Sequence, residues 1–358
     1  MREALTSMGL VLLLSATVWS QTTPAAPVER VCPLDGHRFA VPKMVRGDQR
    51  GGADSDQCVH DYHGHTLVME VVVCPRCSYA ALKTLFAMPL PPEKKAPLLR
   101  ELAKSRYRGV TNSWTEIPSW ERSRLADRCA VVTEREDVRL DCLKMASWNA
   151  RVEACRPATV AVAASERVIM PLAMGGAVGI EDVIRELRNK IKEETKPVEK
   201  NRLRLHLAMM SQRAGFVKDR DATLAELKIA AAADAAMLLR VKRFEELVAI
   251  ETGFQKQFVE VARAYLAGKD KPPLDRIRLS YALADTLRRL GRNDEAVKTY
   301  RDTRKLMTTA KDLRVLTDHF LTMLAPGEPL PVPGKEEPAE TPATDATGKE
   351  PPAADAVR

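Results

Sequence analysis

The residues that could do chemistry crowd the first quarter of the chain. Cys32, Cys58, Cys74 and Cys77 lie there with His37, His60, His63 and His65. Thiolate sulfur and imidazole nitrogen at short spacing are the donors that hold Zn2+ tetrahedrally. Cys74-Pro75-Arg76-Cys77 puts two thiols on one tight turn. Cys32-Pro33-Leu34-Asp35-Gly36 reads as a matching turn in which Asp35 stands where a second Cys would be expected. A structural zinc needs four ligands. The reading favours Cys32, Cys58, Cys74 and Cys77, with His60 or Asp35 as the alternative fourth ligand, and structural Zn2+ as the one cofactor.

Other chemistries compete for the same residues. A C-x-x-C pair can be a thiol redox centre, but no βαβ pattern surrounds it. A Cys74–Cys77 disulfide would close a strained loop, whereas a Cys32–Cys58 disulfide is a rival to metal binding in an oxidising compartment. His60, His63 and His65, with Glu70 nearby, could hold a zinc with an open position, the arrangement of a hydrolase. Their spacing does not match the helical H-E-x-x-H frame. The remaining cysteines, Cys129, Cys142 and Cys155, are spaced thirteen residues apart. They fit either one disulfide with a thiol left over or three inert buried thiols.

Elements must position these groups. Residues 30–90 read as a turn-rich Cys/His zinc-knuckle module. It contains a Val-rich strand over Thr66–Val73, a Gly/Asp loop over Gly47–Asp56, and a helix-like run from Tyr79 to Phe86. From about Pro92 the apolar period becomes helical. Residues 91–178 form a helical region in which Pro157–Gly179 is ambiguous. Residues 179–324 form a more regular helical domain: Ile180, Ile184, Leu187 and Ile191 mark one face, and Phe244, Leu247, Phe254, Phe258, Val261 and Tyr265 line a longer helix.

The second half also carries a repeat. Asp275–Leu290 and a helix beginning at Asn293 flank Gly291, with Ala284 and Ala296 small enough for close approach. Gly ends helices by taking the left-handed conformation, and Asn is a favoured N-cap. A weaker copy pairs Leu203–Ala214 with Thr223–Leu239 around Gly215. The two glycines are 76 residues apart, near twice the roughly 34-residue tetratricopeptide (TPR) unit. Asp312–Leu324 would cap the stack.

Residues 1–20 read as a signal peptide, because the apolar run Met8–Trp19 is too short to span a bilayer. Residues 21–29 read as a Pro/Ala/Thr linker. Residues 325–358 read as a disordered Pro/Glu/Ala-rich tail, since they lack large apolar side chains. The chain carries net charge +8. That tail holds seven acidic and three basic residues, so the remainder is more basic than the whole. Export argues against nucleic acid and leaves an acidic protein or an envelope surface as partner. No transmembrane segment is expected in the mature chain, and the location is periplasmic or secreted.

CPLDGHRF, GGADSDQCVH and VVVCPRCSYAA occur in that order, followed much later by RLGRNDEA. This pattern resembles the bacterial family known as domain of unknown function 2225, well over Val31–Phe86 and loosely beyond. The resemblance implies a zinc-ribbon-like knuckle followed by TPR-like helices. It carries over Cys32, Cys74 and Cys77, with Asp54, Asp56 and Tyr79 as structural positions. The chain departs from the pattern at Asp35, where relatives have a second Cys, and at Ser78, where Gly is usual. The fold class expected is therefore mainly α: a small zinc-ribbon-like N-terminal module followed by a TPR-like α-helical repeat domain. The function expected is that of a non-enzymatic exported interaction or scaffold protein binding a protein or peptide through its helices. The alternatives are a zinc-dependent hydrolase of an envelope polymer and a thiol redox protein.

Overall fold

The computed structural model describes residues 25–43, 51–60, 70–164, 167–172, 177–268, 273–307 and 311–331. The signal-peptide segment, His63, His65, Thr66–Met69 and most of the tail lie outside the described residues.

Two hairpins come first. β1 (Ala25–Val31) pairs antiparallel with β2 (Arg38–Lys43), and β3 (Val71–Val73) with β4 (Ala80–Leu82). β1 takes in Ala25–Glu29 of the segment read as linker. Each Cys-Pro turn closes one hairpin. The helix-like run expected over Tyr79–Phe86 is instead β4 and a following turn. The Cys74 N–H donates to the Tyr79 carbonyl at 2.8 Å, which folds the chain back onto β3 in the register Val73 opposite Ala80.

The rest is helical: α1 (Pro92–Leu102), α2 (Ser113–Glu116), α3 (Ser119–Val132), α4 (Glu136–Ala163), α5 (Ile180–Glu193), α6 (Pro197–Ala214), α7 (Val217–Ala230), α8 (Ala235–Ala267), α9 (Pro273–Arg289), α10 (Asn293–Leu306) and α11 (Lys311–Leu324). A two-residue parallel pair, β5 (Ile169–Met170) with β6 (Val178–Gly179), sits between α4 and α5. The fold class is mainly α behind a small strand-and-turn module, as the composition implied. No helix among the described residues is long and apolar enough to cross a membrane.

The glycine punctuation works as the sequence suggests. Gly215 and Gly291 take φ of 75° and 73°. The following N–H groups reach back to Ser211 and Leu287 carbonyls at 2.8 and 2.9 Å, the six-to-one bond of a Schellman stop. The hairpins α6–α7 and α9–α10 result. Two details differ. The helix expected over Thr223–Leu239 is split, because Asp234 accepts from the Met237 N–H at 2.9 Å and starts α8 afresh. Arg292, not Asn293, holds the cap position of α10, without a side-chain cap bond.

Long α4 and α8 pack along each other and tie the cores together. Cys155, Ile184, Met210, Leu227 and Phe244 fill one core, and Leu143, Phe258, Tyr281, Leu287 and Tyr300 a second. Val71, Val73, Leu125 and Cys142 fill a third. A fourth packs Cys32, Cys74 and Cys77 against Phe86, Leu98, Leu102 and Cys129.

All seven cysteines are buried and unbridged. Cys129, Cys142 and Cys155 fall in three different cores, so none of them forms the disulfide considered above. Thirteen residues of helix separate Cys142 from Cys155 within α4, roughly 20 Å at 1.5 Å per residue, far beyond disulfide reach.

Candidate metal centre and a buried ion network

The two Cys-Pro turns share one hydrogen-bonding pattern. Cys32 N–H donates to the His37 carbonyl at 2.9 Å and Gly36 N–H to the Cys32 carbonyl at 2.9 Å. In the other turn Cys74 N–H donates to Tyr79 at 2.8 Å and Ser78 N–H to Cys74 at 2.9 Å. Gly36 and Ser78 occupy the same left-handed position, with φ of 70° and 64°. Asp35 therefore holds in the first turn the place that Cys77 holds in the second.

The turns face each other, and one donor atom from each of Cys32, Asp35, Cys74 and Cys77 lies within 4.8 Å of the others. The Cys32 and Cys77 sulfurs are 3.6 Å apart. Two sulfurs bound tetrahedrally at ~2.3 Å would be about 3.8 Å apart, so the cage fits zinc. Asp35 Oδ1 lies 3.8 Å from Cys74 Sγ and accepts the His37 N–H at 3.1 Å. Asp35 Oδ2 is buried with no hydrogen-bond donor, and Arg76 Nε stands 3.2 Å from it. The Tyr79 N–H donates to Cys77 Sγ at 3.4 Å, an outer contact of the kind that orients a ligand. Hydrogen bonding from Cys32, and then from Cys77, pulls the Cys74 thiol down to about 2. The Cys74 interaction in turn pushes Cys32 up to about 12, and Cys32 pushes Cys77 up. The shared hydrogen bonds thus favour ionisation of one sulfur of the three, Cys74, over the other two.

Cys58, the favoured fourth ligand, does not join this cage. It falls with Asp54 and His60 in a second buried group. The reason lies in the Gly51–His60 segment, which is drawn into the helical body instead of staying a surface loop. Gly51 and Gly52 let it approach: an added Cβ would meet the His60 carbonyl oxygen at 2.1 Å or the Ile169 carbonyl oxygen at 1.6 Å. Gly52 also needs φ of 75°. The Ala53–Val59 bridge closes the segment.

Inside, the segment meets four guanidinium groups. Asp54 accepts from Arg213 Nε and Arg151 Nη1, both at 3.0 Å, and lies 2.8 Å from His60 Nε2. Asp56 takes both Arg151 Nη groups at 2.9 and 2.8 Å, and the Trp148 indole N–H at 3.0 Å. Arg151 Nε donates to Glu251 at 2.7 Å, and Gln212 and Gln255 complete that carboxylate at 2.8 Å each. Ser55 Oγ donates to Asp285 at 3.1 Å and accepts from Arg288 and Arg289 at 3.0 and 2.8 Å. Tyr300 OH donates to Asp285 at 2.9 Å, and Tyr281 OH to the Ser55 carbonyl at 2.8 Å.

Asp54, Asp56, Glu251 and Asp285 balance Arg151, Arg213, Arg288 and Arg289, four against four. Burial opposes ionisation of Asp54, but His60 and Arg213 outweigh it and hold the carboxyl well below its usual range. Burial, with Arg213 beside it, pushes His60 down to about 4. His60 is therefore neutral near pH 7 and donates through Nε2 to a carboxylate that can only accept. Both Asp54 oxygens are spent on these partners, so the Asp54–Cys58–His60 group has little left for a metal. This also removes His60 from the hydrolase arrangement; its two companions, His63 and His65, lie outside the described residues. A thiol redox role finds little support, since Cys74 and Cys77 are 0% and 4% exposed and an attacking sulfur needs access.

Sequence reasoning missed Arg151, Arg213, Glu251, Asp285, Arg288 and Arg289. The signal was present: Glu251 lies four residues after Leu247 and three before Phe254, inside the apolar stripe of α8. A charge on a core stripe asks for a buried partner.

The fold and the cage define a zinc-ribbon-like knuckle module carried on a helical body. Residues 28–127 match the model of a family described as an uncharacterized protein conserved in bacteria, domain of unknown function 2225. Over those residues the chain is similar to that family. The match spans both turns and the buried loop and stops within α3. No curated protein and no solved structure matches the chain.

Proposed function

We propose that this is an exported, non-enzymatic interaction protein, in which one structural Zn2+ clips the two turns together and the helical body holds a protein or peptide partner. The observation that carries the metal is the closed set of Cys32, Asp35, Cys74 and Cys77, four donor atoms within 4.8 Å. Four protein ligands leave no position for a substrate or an activated water, which is the mark of structural rather than catalytic zinc. Apolar Leu34, Val72 and Phe86 pack around the cage and keep water from it. Small metal modules draw folding free energy from the ion, so the front module depends on its metal. The helical hairpins α6–α7 and α9–α10 support the partner-binding role, since stacked hairpins of this kind offer extended surfaces.

Metal analysis of the purified full chain, paired with thiol counting in denaturant, tests the reading. One zinc per chain is expected, with all seven cysteines titrating once a chelator has removed it. Cys74→Ser or Cys77→Ser should abolish zinc retention. A metal-free chain that titrates two thiols short, with Cys32 linked to Cys77, would overturn the metal reading. Turnover of an envelope polymer that is lost on zinc removal would overturn the non-enzymatic one.

A further inference from the structure

We propose that the cleft between the segment after α1, the start of α3 and the middle of α8 binds a small anionic ligand with a flat apolar portion. The cleft is a cavity of about 490 Å³, within the size range of small-molecule sites. Three observations converge on it.

The first is its charge. Lys104, Arg106, Arg124 and Arg128 line it, against Glu121. Arg124 is committed to buried Glu121, at 2.8 Å through Nε. Arg128 is committed to Glu101, at 2.6 and 2.9 Å. Lys104 and Arg106 are exposed; Lys104 shares Glu101 with Arg128, and Arg106 donates to the Tyr107 hydroxyl at 2.6 Å, so the cations of the rim outnumber Glu101 and Glu121. The second is its aromatic wall. Tyr107, Trp120 and Phe254 line the same cleft, with the Trp120 and Phe254 rings 6.4 Å apart.

The third is Gly253. It sits within 33-residue α8, where glycine is less favourable than alanine. Packing does not demand it, since an added Cβ would meet nothing within 4 Å. Bare backbone there leaves the α8 side of the cleft open. The larger cavity of about 550 Å³ beside Asp56 offers no such preference, because Asp137 and Asp141 there face Lys144 and Arg278. The anion site stands whether or not the knuckle holds zinc.

Fluorescence titration of the full chain with 1-anilinonaphthalene-8-sulfonate, and with its uncharged relative N-phenyl-1-naphthylamine, tests the proposal. The sulfonate dye should bind saturably at one site. Gly253→Trp should weaken it at least tenfold without lowering Tm. Lys104→Ala with Arg106→Ala, both on the exposed rim, should weaken the sulfonate dye at least fivefold and leave the neutral dye unchanged. Displacement by inorganic phosphate or by citrate would assign the anion as phosphate or carboxylate. No saturable binding, binding unchanged by the rim pair, or failure of both anions to displace the dye would overturn the proposal. The rim pair also decides the matter if Gly253→Trp does not fold.

Discussion

The cage at Cys32, Asp35, Cys74 and Cys77 and the network at Asp54, Asp56, Glu251 and Asp285 are built from similar donors at similar density, yet they differ in what neutralises them. The cage gathers three sulfurs and a carboxylate, with Arg76 the one ion-pair partner beside them among the described residues. The network gathers four carboxylates with four guanidinium groups already in place. One is short of positive charge and the other is complete. Proximity of Asp, Cys and His therefore does not make a metal site; the count of opposing charge does. The two also hold the front module differently. The cage joins one turn to another within it, whereas the network anchors its middle loop to α4, α6, α8 and α9.

The sharpest way to break this comparison is to remove one cation from the network. Arg151→Ala leaves Asp54, Asp56 and Glu251 without their shared partner. Breaking a buried pair costs about 3–5 kcal/mol, and three carboxylates are affected here, so the loss in denaturant unfolding should be at least that large. A loss under 1 kcal/mol would show that the network contributes little.

Acid should act next. The folded-state value of His60 near 4 lies below its unfolded value near 6.5, so the unfolded chain binds the extra proton between those limits. Stability is then lost as pH falls from about 6.5 towards 4, by about 3 kcal/mol for the full shift. His60→Gln should flatten this slope in unfolding curves at pH 7, 5.5 and 4, and an unchanged slope would assign the acid sensitivity to other groups. The depressed carboxyls of Asp54 and Asp285 give up their contribution only at lower pH.

On the cage side, Asp35→Cys should complete a four-thiolate set. Thiolate is the softer zinc ligand, so zinc release to a chelator should slow at least tenfold. Unchanged release would mean that the first turn does not supply a ligand at that position. The smallest effect is expected at Ser78, a non-glycine residue at φ of 64° whose buried hydroxyl has no partner. Ser78→Gly relieves both and should gain about 1 kcal/mol, after allowance for the greater freedom of glycine in the unfolded chain. A loss in thermal unfolding would contradict the strain argument.

Much of the front was legible. Cys74-x-x-Cys77 and the Cys32 turn announce themselves because a knuckle is local: five or six residues set both the backbone turn and the donor. The strand at Val71–Val73 and the glycine stops at Gly215 and Gly291 were legible for the same reason. The fourth donor was not, because Cys58, His60 and Asp35 are all near enough along the chain. Choosing among them needs the path of the Gly51–His60 segment, whose first part reads from sequence only as the Gly/Asp loop Gly47–Asp56. Its partners come from residues 92 to 234 positions away, a separation that no local pattern reports.

The sequence by itself determined the helical class, the two Cys-Pro turns and the helix stops, because propensity, turn chemistry and periodicity act over a few residues at a time. Only the tertiary structure decided that Asp35 faces the three sulfurs while Cys58 goes elsewhere. It also decided that four arginines enclose an acidic loop, and that Gly253 borders an open cationic cleft. Those outcomes depend on which charges meet once distant helices pack, and the energy of a charge is set by its surroundings in space, not by its neighbours along the chain.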